Sequence, residues 1–252
     1  MDGLELYRPR PPSPHAGCAL FLDVDGSLIE FAPAPHLVTL PADLRRRLHL
    51  LSHALNGALA LVSGRSLDAL DTLFWPLRLP AAGLHGNELR TRDGVLRKPA
   101  PCASLPHIVA EAVALCMRHP GAIAENKGAG IALHWRAAPD AEAALRAFAD
   151  EALEGLPGYR LQPGHCVIEL LNGDEDKGTA IAALMESAPF RGRRPVFVGD
   201  DLTDEPGFRA INVRDGDSIL VGARSDSAAR FSLPDPASVR AWLDTFISEG
   251  SA

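Results

Sequence analysis

The chain has 252 residues, of which 46% are apolar and 23% are charged, a balance that excludes a disordered or fibrous protein. Its formal net charge of −7 argues against nucleic-acid binding driven by attraction to phosphates, so we expect no nucleic-acid partner. The apolar runs are all shorter than the roughly 18 residues of a membrane span, and we expect no membrane partner either. The length suits one large domain, or one domain that carries an insertion.

The first part of the chain alternates apolar runs with segments of helical periodicity. Residues 19–22 form an apolar run that predicts a strand buried on both faces. Leucines recur at helical spacing over 44–55, and a second apolar run at 58–62 predicts another strand. Ser66 then stands where it would cap a helix over 67–74. Strands and helices joined by short connections indicate an α/β fold with a parallel sheet.

The middle of the chain has a different pattern. Two short runs flank Asp93-Gly94, a sequence typical of a hairpin turn, and the following strands and helices are typical of a small α+β unit. The earlier alternation resumes after Lys177. The predicted elements of these two parts are helices at 105–116, 145–152, 177–187 and 239–246, and strands at 131–135, 159–161, 167–170, 196–198 and 219–221.

This change of pattern predicts an α/β core that is interrupted by an inserted α+β lid. The core comprises residues 18–98 and 172–252, the lid comprises residues 99–171, and residues 1–17 form a Pro-rich N-terminal tail. The four cysteines are widely separated and include no C-x-x-C pair, so the sequence supports neither a zinc site nor a disulfide framework.

Two carboxylates follow the first predicted strand. Asp23 and Asp25 are two residues apart, so both can face the same side as the chain leaves the strand, and Gly26 lets the backbone turn sharply. One carboxylate can attack phosphorus while the other shuttles protons. A polar turn at the end of a strand would explain the same residues, and this motif alone leaves the two interpretations about equal.

Two further polar residues stand at the ends of predicted elements. Ser63 ends the second strand, and its hydroxyl can donate to a phosphoryl oxygen, although a serine in this place is more often a helix cap. Lys177 opens a helix, where the helix dipole already favours an anion. Because three acidic residues precede Lys177, a solvated surface charge is the alternative interpretation.

An acidic segment follows the strand at 196–198. Asp200 and Asp201, together with Asp23, would give an oxygen-rich site suited to Mg²⁺. The alternative is an acidic helix N-terminus with Thr203 as its cap, and both interpretations can hold at once.

In this order, the four motifs resemble those of the haloacid dehalogenase-like phosphohydrolases, which have a Rossmann-like parallel-sheet core and an inserted cap domain. The resemblance implies that Asp23 is the nucleophile and Asp25 the general acid/base. It also implies that Ser63 and Lys177 hold the phosphoryl group. The cofactor would be Mg²⁺, with ligands from Asp23, Asp25, Asp200 and Asp201.

Four segments resemble those of bacterial trehalose-6-phosphate phosphatases, and this resemblance covers about residues 19–242. The segments are Gly83-Leu-His-Gly-Asn-Glu-Leu-Arg90, Glu125-x-Lys127 with His134-Trp-Arg136, Gln162-Pro-Gly164 with Glu169, and Gly199-Asp-Asp-Leu-Thr-Asp-Glu205. The resemblance implies that Glu125, Lys127 and Glu169 hold the distal glucose. The full set of expected sugar-binding residues is Gly86, Asn87, Glu88, Glu125, Lys127, His134, Arg136 and Glu169.

The lid residues also have an interpretation of their own. Charges of both signs suit a neutral, hydroxyl-rich ligand, although ordinary surface charge on a mixed domain would explain them as well. On a strand, His134 and Arg136 share one face, and Trp135 points the other way, into the core of the lid.

We therefore expect a cytoplasmic, monomeric enzyme that hydrolyses trehalose 6-phosphate through an aspartyl phosphate, the last step of trehalose biosynthesis. The nearest alternative is a related phosphatase for sucrose 6-phosphate or a mannosyl compound. A sensor of sugar phosphates without catalytic activity is the alternative from another class. It is disfavoured because every core catalytic position holds a competent residue.

Overall fold

Twelve strands and seven α-helices form among residues 8–32 and 37–249, the part of the chain that the computed structural model describes. The strands are β1 (Cys18–Leu22), β2 (Leu59–Val62), β3 (Ala81–Gly83), β4 (Glu88–Arg90), β5 (Leu96–Arg97), β6 (Ile123–Asn126), β7 (Gly130–His134), β8 (Tyr159–Gly164), β9 (Val167–Asn172), β10 (Arg194–Gly199), β11 (Asp217–Val221) and β12 (Phe231–Leu233). The helices are α1 (Leu44–Ala54), α2 (Leu67–Phe74), α3 (Leu105–Met117), α4 (Glu142–Glu154), α5 (Lys177–Met185), α6 (Glu205–Asn212) and α7 (Pro236–Glu249). None of these helices is both long and apolar enough to cross a membrane.

The described residues divide between two units, each with its own hydrophobic core. The first unit comprises residues 8–31, 38–96 and 176–249. The second comprises residues 97–175 together with Ala32 and Leu37. The second unit therefore interrupts the first in sequence.

The first unit is built on a sheet of eight strands in the order β12-β11-β10-β1-β2-β3-β4-β5. The strands from β12 to β3 pair in parallel, and β4 pairs antiparallel to β3. The α/β fold class predicted from the sequence is thus confirmed. Because the chain crosses from β1 to β2 on one side and returns to β10 on the other, the strand order reverses at β1. In such sheets the carboxyl ends of the strands at this point form the usual ligand-binding crevice.

The core of the first unit explains why β1 reads as a continuous apolar run. All five residues of β1 are buried, as expected for a central parallel strand with both faces covered. The rings of Phe21 and Phe190 stack with their centroids 5.3 Å apart.

The predicted cap of α2 is also present, because the Ser66 side chain accepts a hydrogen bond from the N–H of Ala69 at 3.2 Å. β1 and the start of α2 therefore both follow from residues that the sequence shows locally, an apolar run and a capping serine.

Three short strands are absent from the sequence-based prediction: β3, β6 and β12. β3 reads Ala-Ala-Gly, and these residues have low strand propensity. It is a strand because β2 and β4 hydrogen-bond to its two sides. β12 likewise exists through its pairing with β11. Pairing partners distant in sequence thus override local propensity.

The second unit is a four-stranded antiparallel sheet in the order β6-β7-β9-β8. Helices α3 and α4 contact this sheet and each other. Alternate residues such as Leu133 and Ile168 pair across β7 and β9 and lie in the core with Trp135, which is 2% exposed. Trp135 is therefore in the core position expected for it. The side chains of this core occupy the helix-covered face, and Glu169 and His134 lie on the opposite face together with the apolar residues Ala132 and Leu171.

The N-terminal segment runs along the first unit as far as it is described, from residue 8 to residue 17. The Pro9 carbonyl accepts the N–H of Ser232 on β12 at 3.1 Å, and the Pro12 carbonyl accepts the indole N–H of Trp242 at 2.9 Å. These bonds satisfy a backbone N–H on the edge strand of the sheet, which would otherwise be open for pairing with another chain. The first seven residues of the predicted tail lie outside the described residues.

Candidate active site

β1 leads directly into Asp23, the first of the predicted catalytic residues. Its backbone N–H donates to the carbonyl of Val198 at 2.9 Å, so β1 is still paired with β10 where this carboxylate leaves the strand. The residue is only 4% exposed. Burial is the main cause that raises the pKa of Asp23 to about 7, and the positive charge of Lys177 opposes the rise. Asp23 is thus a poorly solvated carboxyl group at the carboxyl end of the central strand.

Three carboxylates come together beyond β1 and β10. Asp23, Asp200 and Asp204 each offer one oxygen atom, and these atoms lie within 4.8 Å of one another. Burial, followed by the charges of Asp23 and Asp204, raises the pKa of Asp200 to about 9. Three carboxylates that lie close together out of water favour a bound cation, and carboxylate oxygens are the ligands that Mg²⁺ prefers. The donor set therefore fits a magnesium ion.

The loop after β1 also holds Asp200 in place. Gly26 has a φ of +84°, and a Cβ atom on it would lie 2.3 Å from Oδ2 of Asp200. The Ser27 hydroxyl donates to Oδ1 of the same carboxylate at 3.1 Å. Only glycine provides both this backbone conformation and this close approach. Gly26 and Ser27, in the loop after β1, thus help to fix the position of Asp200, in the loop after β10.

Lys177 is buried in the carboxylate cluster, so the alternative interpretation of a solvated surface charge is wrong. Its ammonium donates to Oδ1 of Asp23 at 2.8 Å and to Oδ1 of Asp204 at 2.6 Å, and the residue is 3% exposed. Burial alone would lower the pKa of Lys177, but the charges of Asp204 and Asp23 outweigh it and hold the pKa above its ordinary value. A capping box between Asp176 and Thr179 fixes the start of α5. The site therefore keeps one permanent cation.

Asp204, rather than Asp201, joins the cluster of three carboxylates. Asp204 is fully buried, and its Oδ2 accepts the backbone N–H groups of Asp200 at 3.0 Å and Asp201 at 2.9 Å. The Asp201 side chain instead caps the 3₁₀ turn Leu202–Asp204. The alternative in which Thr203 caps the following helix is wrong, because Asp204 stands at the N-cap of α6. A role for Asp201 as a metal ligand stays a prediction.

Asp25 is held by an arginine outside the carboxylate cluster. The Arg65 guanidinium donates to both oxygens of Asp25, each at 2.7 Å, and the two side chains are 15% and 25% exposed. The Ser63 hydroxyl, buried at the end of β2, accepts the backbone N–H of Arg65 at 3.1 Å. Asp25, Arg65 and Ser63 thus form a second connected group at the carboxyl end of the sheet. The roles expected for Asp25 and Ser63 stay predictions.

The turn between β3 and β4 carries three of the expected sugar-binding residues. Residues 84–86 all have positive φ, and a Cβ atom on Gly86 would lie 2.3 Å from the carbonyl oxygen of Asp176. The buried Asn87 amide donates to a carbonyl of the same turn at 2.9 Å. The buried Glu88 carboxylate accepts the first backbone N–H of α2 at 2.6 Å. These residues hold the turn together, and their contact with a sugar stays a prediction.

In the second unit, four polar side chains form a lid cluster: Glu125, Lys127, His134 and Glu169. Glu125 and Glu169 flank Ala132 across three strands and therefore share one face of the sheet. The Lys127 ammonium lies 2.8 Å from Glu169, with side chains 6% and 8% exposed, and the His134 ring lies 2.9 Å from Glu125. Burial would raise the pKa of Glu125, but His134 and Lys127 outweigh it and hold the pKa below its ordinary value. The cluster thus offers donors and acceptors side by side.

Arg136, the remaining lid residue expected to bind sugar, follows the end of β7. Its guanidinium donates to the carbonyl of His165 at 3.4 Å, a contact with the turn between β8 and β9. The structure therefore places Arg136 beside that turn, and a contact between Arg136 and a sugar stays a prediction.

Comparison with known proteins agrees with this geometry. The sequence model of the family described as trehalose-phosphatase matches residues 21–237. A probable trehalose-phosphate phosphatase of Sinorhizobium fredii is 44% identical over 81% of this chain and 77% of its own length. The trehalose-6-phosphate phosphatase of Escherichia coli is 41% identical over 92% of this chain and 88% of its own. The chain belongs to the trehalose-phosphatase family.

Solved structures show the same fold for this family member. The crystal structure of a trehalose-6-phosphate phosphatase related protein superposes with a TM-score of 0.80 at 24% identity, covering 92% of this chain and 98% of that one. The C-terminal domain of the Candida albicans trehalose-6-phosphate phosphatase also gives 0.80, at 19% identity, covering 96% and 99%. At these identities the likeness concerns the fold alone.

Two site residues of this trehalose-phosphatase family member were not assigned a role from the sequence. Asp204 stands in the Gly199-Asp-Asp-Leu-Thr-Asp motif, and the motif itself could have drawn attention to it. Arg65 directly follows Ser63-Gly64, but its pairing with Asp25 depends on the packing of two strands. The sequence carries no local signal for that contact.

Proposed function

We propose that the chain hydrolyses trehalose 6-phosphate to trehalose and inorganic phosphate, with Mg²⁺ as cofactor and an aspartyl phosphate on Asp23 as intermediate. The observation that carries the proposal is the buried contact of Asp23 with Lys177, beside the carboxylates of Asp200 and Asp204. The family membership and the two relatives named for this activity support the choice of substrate.

The first chemical step is attack by Asp23. A carboxylate oxygen of Asp23 forms a bond to phosphorus while the bond between phosphorus and the sugar oxygen breaks. The sugar oxygen leaves with its electron pair and takes a proton from Asp25. Because Arg65 donates to both oxygens of Asp25, this transfer requires one of those hydrogen bonds to be released when substrate binds.

The second step regenerates the enzyme. Asp25, now a carboxylate, takes a proton from a water molecule whose oxygen attacks phosphorus. The bond between Asp23 and phosphorus breaks, phosphate leaves, and the Asp23 carboxylate and the protonated Asp25 are restored. Asp25 thus acts first as acid and then as base, and its contact with Arg65 fixes the direction of the carboxyl group between the two steps.

The negative charge of the phosphoryl group has to be neutralised in both steps. Lys177 supplies a permanent positive charge, and the hydroxyl of Ser63 at the end of β2 is the proposed hydrogen-bond donor to a phosphoryl oxygen. When bound by Asp23, Asp200 and Asp204, Mg²⁺ supplies the remaining charge stabilisation. Further metal contacts from Asp25 and Asp201 stay part of the proposal.

The sugar is the part of the substrate that we assign to the lid cluster. Its two carboxylates accept hydrogen bonds from sugar hydroxyls, and the ammonium of Lys127 donates to them. We also assign sugar contacts to Arg136 and to the turn at Gly86, Asn87 and Glu88. Side chains that already pair with each other, such as Lys127 with Glu169, are held in fixed directions for this task.

Phosphate release in the presence of Mg²⁺ tests the proposal, with trehalose 6-phosphate, sucrose 6-phosphate, glucose 6-phosphate and p-nitrophenyl phosphate as substrates. We expect a strong preference for trehalose 6-phosphate and no activity in excess EDTA. Similar rates on all four substrates would contradict the role of the lid cluster but not the phosphatase chemistry. No activity on any of them would favour a sensor instead.

Asp25→Asn tests the assigned proton transfers, because an amide cannot protonate the sugar oxygen. Turnover of trehalose 6-phosphate should fall by about 10²- to 10⁴-fold. In a single turnover, which isolates the first step from hydrolysis of the aspartyl phosphate, a much smaller effect on p-nitrophenol release would identify Asp25 as the acid, because that leaving group needs no proton. An equal loss on both substrates in the single turnover would contradict that role. The monomeric state and the cytoplasmic location stay predictions, and sedimentation and cell fractionation test them.

A further inference from the structure

Arg8, the first described residue, donates to four backbone carbonyls of a single loop, residues 224–229. Its Nε lies 2.9 Å from the Ala229 carbonyl, and its Nη1 lies 2.8 Å from the Arg224 carbonyl. Its Nη2 donates to two further carbonyls of the loop at 2.9 and 3.0 Å. A guanidinium has five N–H groups in one plane, so Arg8 uses most of its hydrogen-bonding capacity on this loop. It therefore fixes the backbone path of the loop.

The 224–229 loop in turn holds Glu205 from two directions. The N–H of Ala228 donates to Oε2 of Glu205 at 2.8 Å, and the Arg224 guanidinium donates to Oε1 at 2.6 Å. Both oxygens of the Glu205 carboxylate are thus held by the loop.

Glu205 is also the residue that directly follows Asp204 of the carboxylate cluster. The Arg224 guanidinium reaches back to the carbonyl of Asp201 at 3.3 Å, on the other side of the turn Leu202–Asp204. The 224–229 loop therefore contacts the chain immediately before and immediately after this turn. Since Asp204 Oδ2 in turn accepts the N–H of Asp200, the position of both carboxylates depends on where the turn is held.

We propose that Arg8 is a positioning residue for the metal-binding loop, acting through the 224–229 loop on Glu205 and Asp201. The inference rests on the proposed function, in which Asp200 and Asp204 hold the metal. It assigns to the N-terminal segment a part in assembling the active site, in addition to covering the edge of the sheet.

The rest of the N-terminal segment binds the first unit through other contacts, so the effect of the Arg8 side chain can be tested separately from the docking of the segment. Pro9 and Pro12 bind Ser232 and Trp242 through their carbonyls, so these bonds do not need the Arg8 side chain. A variant that lacks the guanidinium should therefore keep the segment docked while freeing the 224–229 loop.

The test compares Arg8→Ala with Arg10→Ala. Arg10 is exposed and forms no hydrogen bond or ion pair with any described residue, so the two variants remove the same charge from the same segment. Binding of Mn²⁺ to the full-length protein without substrate is measured by electron paramagnetic resonance. We expect Arg8→Ala to weaken Mn²⁺ binding by about three- to tenfold, which lies within the range of about two- to thirtyfold expected for coupling through a contact network. Arg10→Ala should match the wild type.

Three further variants test the route. Arg224→Ala should weaken Mn²⁺ binding at least as much as Arg8→Ala. Because both residues act through the same series of contacts, the decrease in Mn²⁺ affinity of the double variant should be smaller than the product of the two single decreases. Arg8→Lys keeps the charge with fewer donors and should give an intermediate affinity. If Arg8→Ala does not fold, as judged by circular dichroism, the Arg8→Lys result decides.

The outcomes separate this inference from the proposed function. Wild-type protein that binds no Mn²⁺ would overturn the proposed metal site itself. Wild-type protein that binds Mn²⁺, with Arg8→Ala and Arg8→Lys binding equally well, would overturn the positioning role alone. A lower melting temperature of Arg8→Ala with unchanged Mn²⁺ affinity would also overturn it, because that result indicates a purely structural contact.

Discussion

The ammonium of Lys177 lies 2.6 Å from Oδ1 of Asp204, and the other oxygen of the same carboxylate receives two backbone N–H groups of its own loop. Asp204 thus ties the start of α5 to the loop after β10. Both groups are buried, with exposures of 3% for Lys177 and 0% for Asp204. Lys177 and the loop after β10 therefore hold each other in place, and a substitution in either should alter the position of the other.

Asp204→Asn should damage both stability and metal binding. An amide cannot neutralise the Lys177 ammonium, and its NH₂ group cannot accept the backbone N–H of Asp200 or Asp201. Lys177 keeps its contact with Asp23, so the main loss is the acceptor of two backbone N–H groups, and we expect a cost of about 1–3 kcal/mol in the free energy of unfolding. Chemical denaturation and Mn²⁺ binding measure the two effects.

The matched control is Asp201→Asn, in the same loop and with the same change of charge. The Asp201 side chain caps a 3₁₀ turn, and asparagine caps about as well as aspartate, so we expect a loss of less than about 1 kcal/mol in the free energy of unfolding. If Asp201→Asn weakened metal binding more than Asp204→Asn, the choice of Asp204 as ligand would be wrong.

Asp23→Asn should abolish turnover and leave the protein folded. The amide is a poor nucleophile, and loss of an enzyme's nucleophile lowers kcat by at least about 10⁴-fold. Lys177 keeps its contact with Asp204, so its charge is not left unpaired. Phosphate release and thermal melting test the two parts, and substantial remaining activity would remove Asp23 from its assigned role.

The metal-free protein should become less stable as the pH rises. The folded-state pKa values of Asp23 and Asp200, about 7 and about 9, lie above those of the unfolded chain. The folded state then binds more protons, so this stabilisation is complete near pH 4 and is lost as the pH rises through 7 and then 9.

Denaturation in EDTA between pH 5 and pH 9 measures this loss, with Asp200→Asn as the comparison. The slope should reach at most about 1.4 kcal/mol per pH unit for each group. Saturating Mg²⁺ should flatten the profile, because a bound cation favours the ionised carboxylates. A metal-free profile that rises over this range would contradict the expected sign.

Lys127→Ala should raise the KM for trehalose 6-phosphate far more than the KM for p-nitrophenyl phosphate, because only the first substrate has a sugar for the lid cluster to bind. Arg118→Ala is the control, since Arg118 is an exposed cation of the same unit and the charge change is identical. Melting curves should accompany the kinetics, because Glu169 loses its buried partner. Equal changes in both KM values would argue against sugar recognition by Lys127.

The sequence predicts the parts of the fold that depend on local chemistry. The run at 19–22, the Ser66 cap and the start of α5 at Lys177 each carry their signal within a few residues, and the structure has all three. β3 could not be predicted in this way, because its Ala-Ala-Gly sequence is a strand only through its neighbours. Pairing between distant segments decides such elements.

The same distinction holds for the candidate site. Asp23 and Lys177 follow from motifs at element ends, whereas the pairing of Arg65 with Asp25 joins two loops after different strands. The N-terminal segment is a further case. Its prolines mark it only as a Pro-rich tail, and nothing in its composition shows that its carbonyls accept hydrogen bonds from β12 and α7.

The interrupted sequence of the first unit has a consequence for how the protein is made. Strand β1 leaves the ribosome early, but its partner β10 is synthesised only after the whole second unit, with Cys18 paired to Arg194. At synthesis rates of about 5–20 residues per second, β1 waits about 9–35 seconds for that partner. The antiparallel second unit contains all of its own strands and can fold during this interval. The pairing of β1 with β10 can form only after β10 is made, and pairings between segments so distant in sequence are generally slow to form.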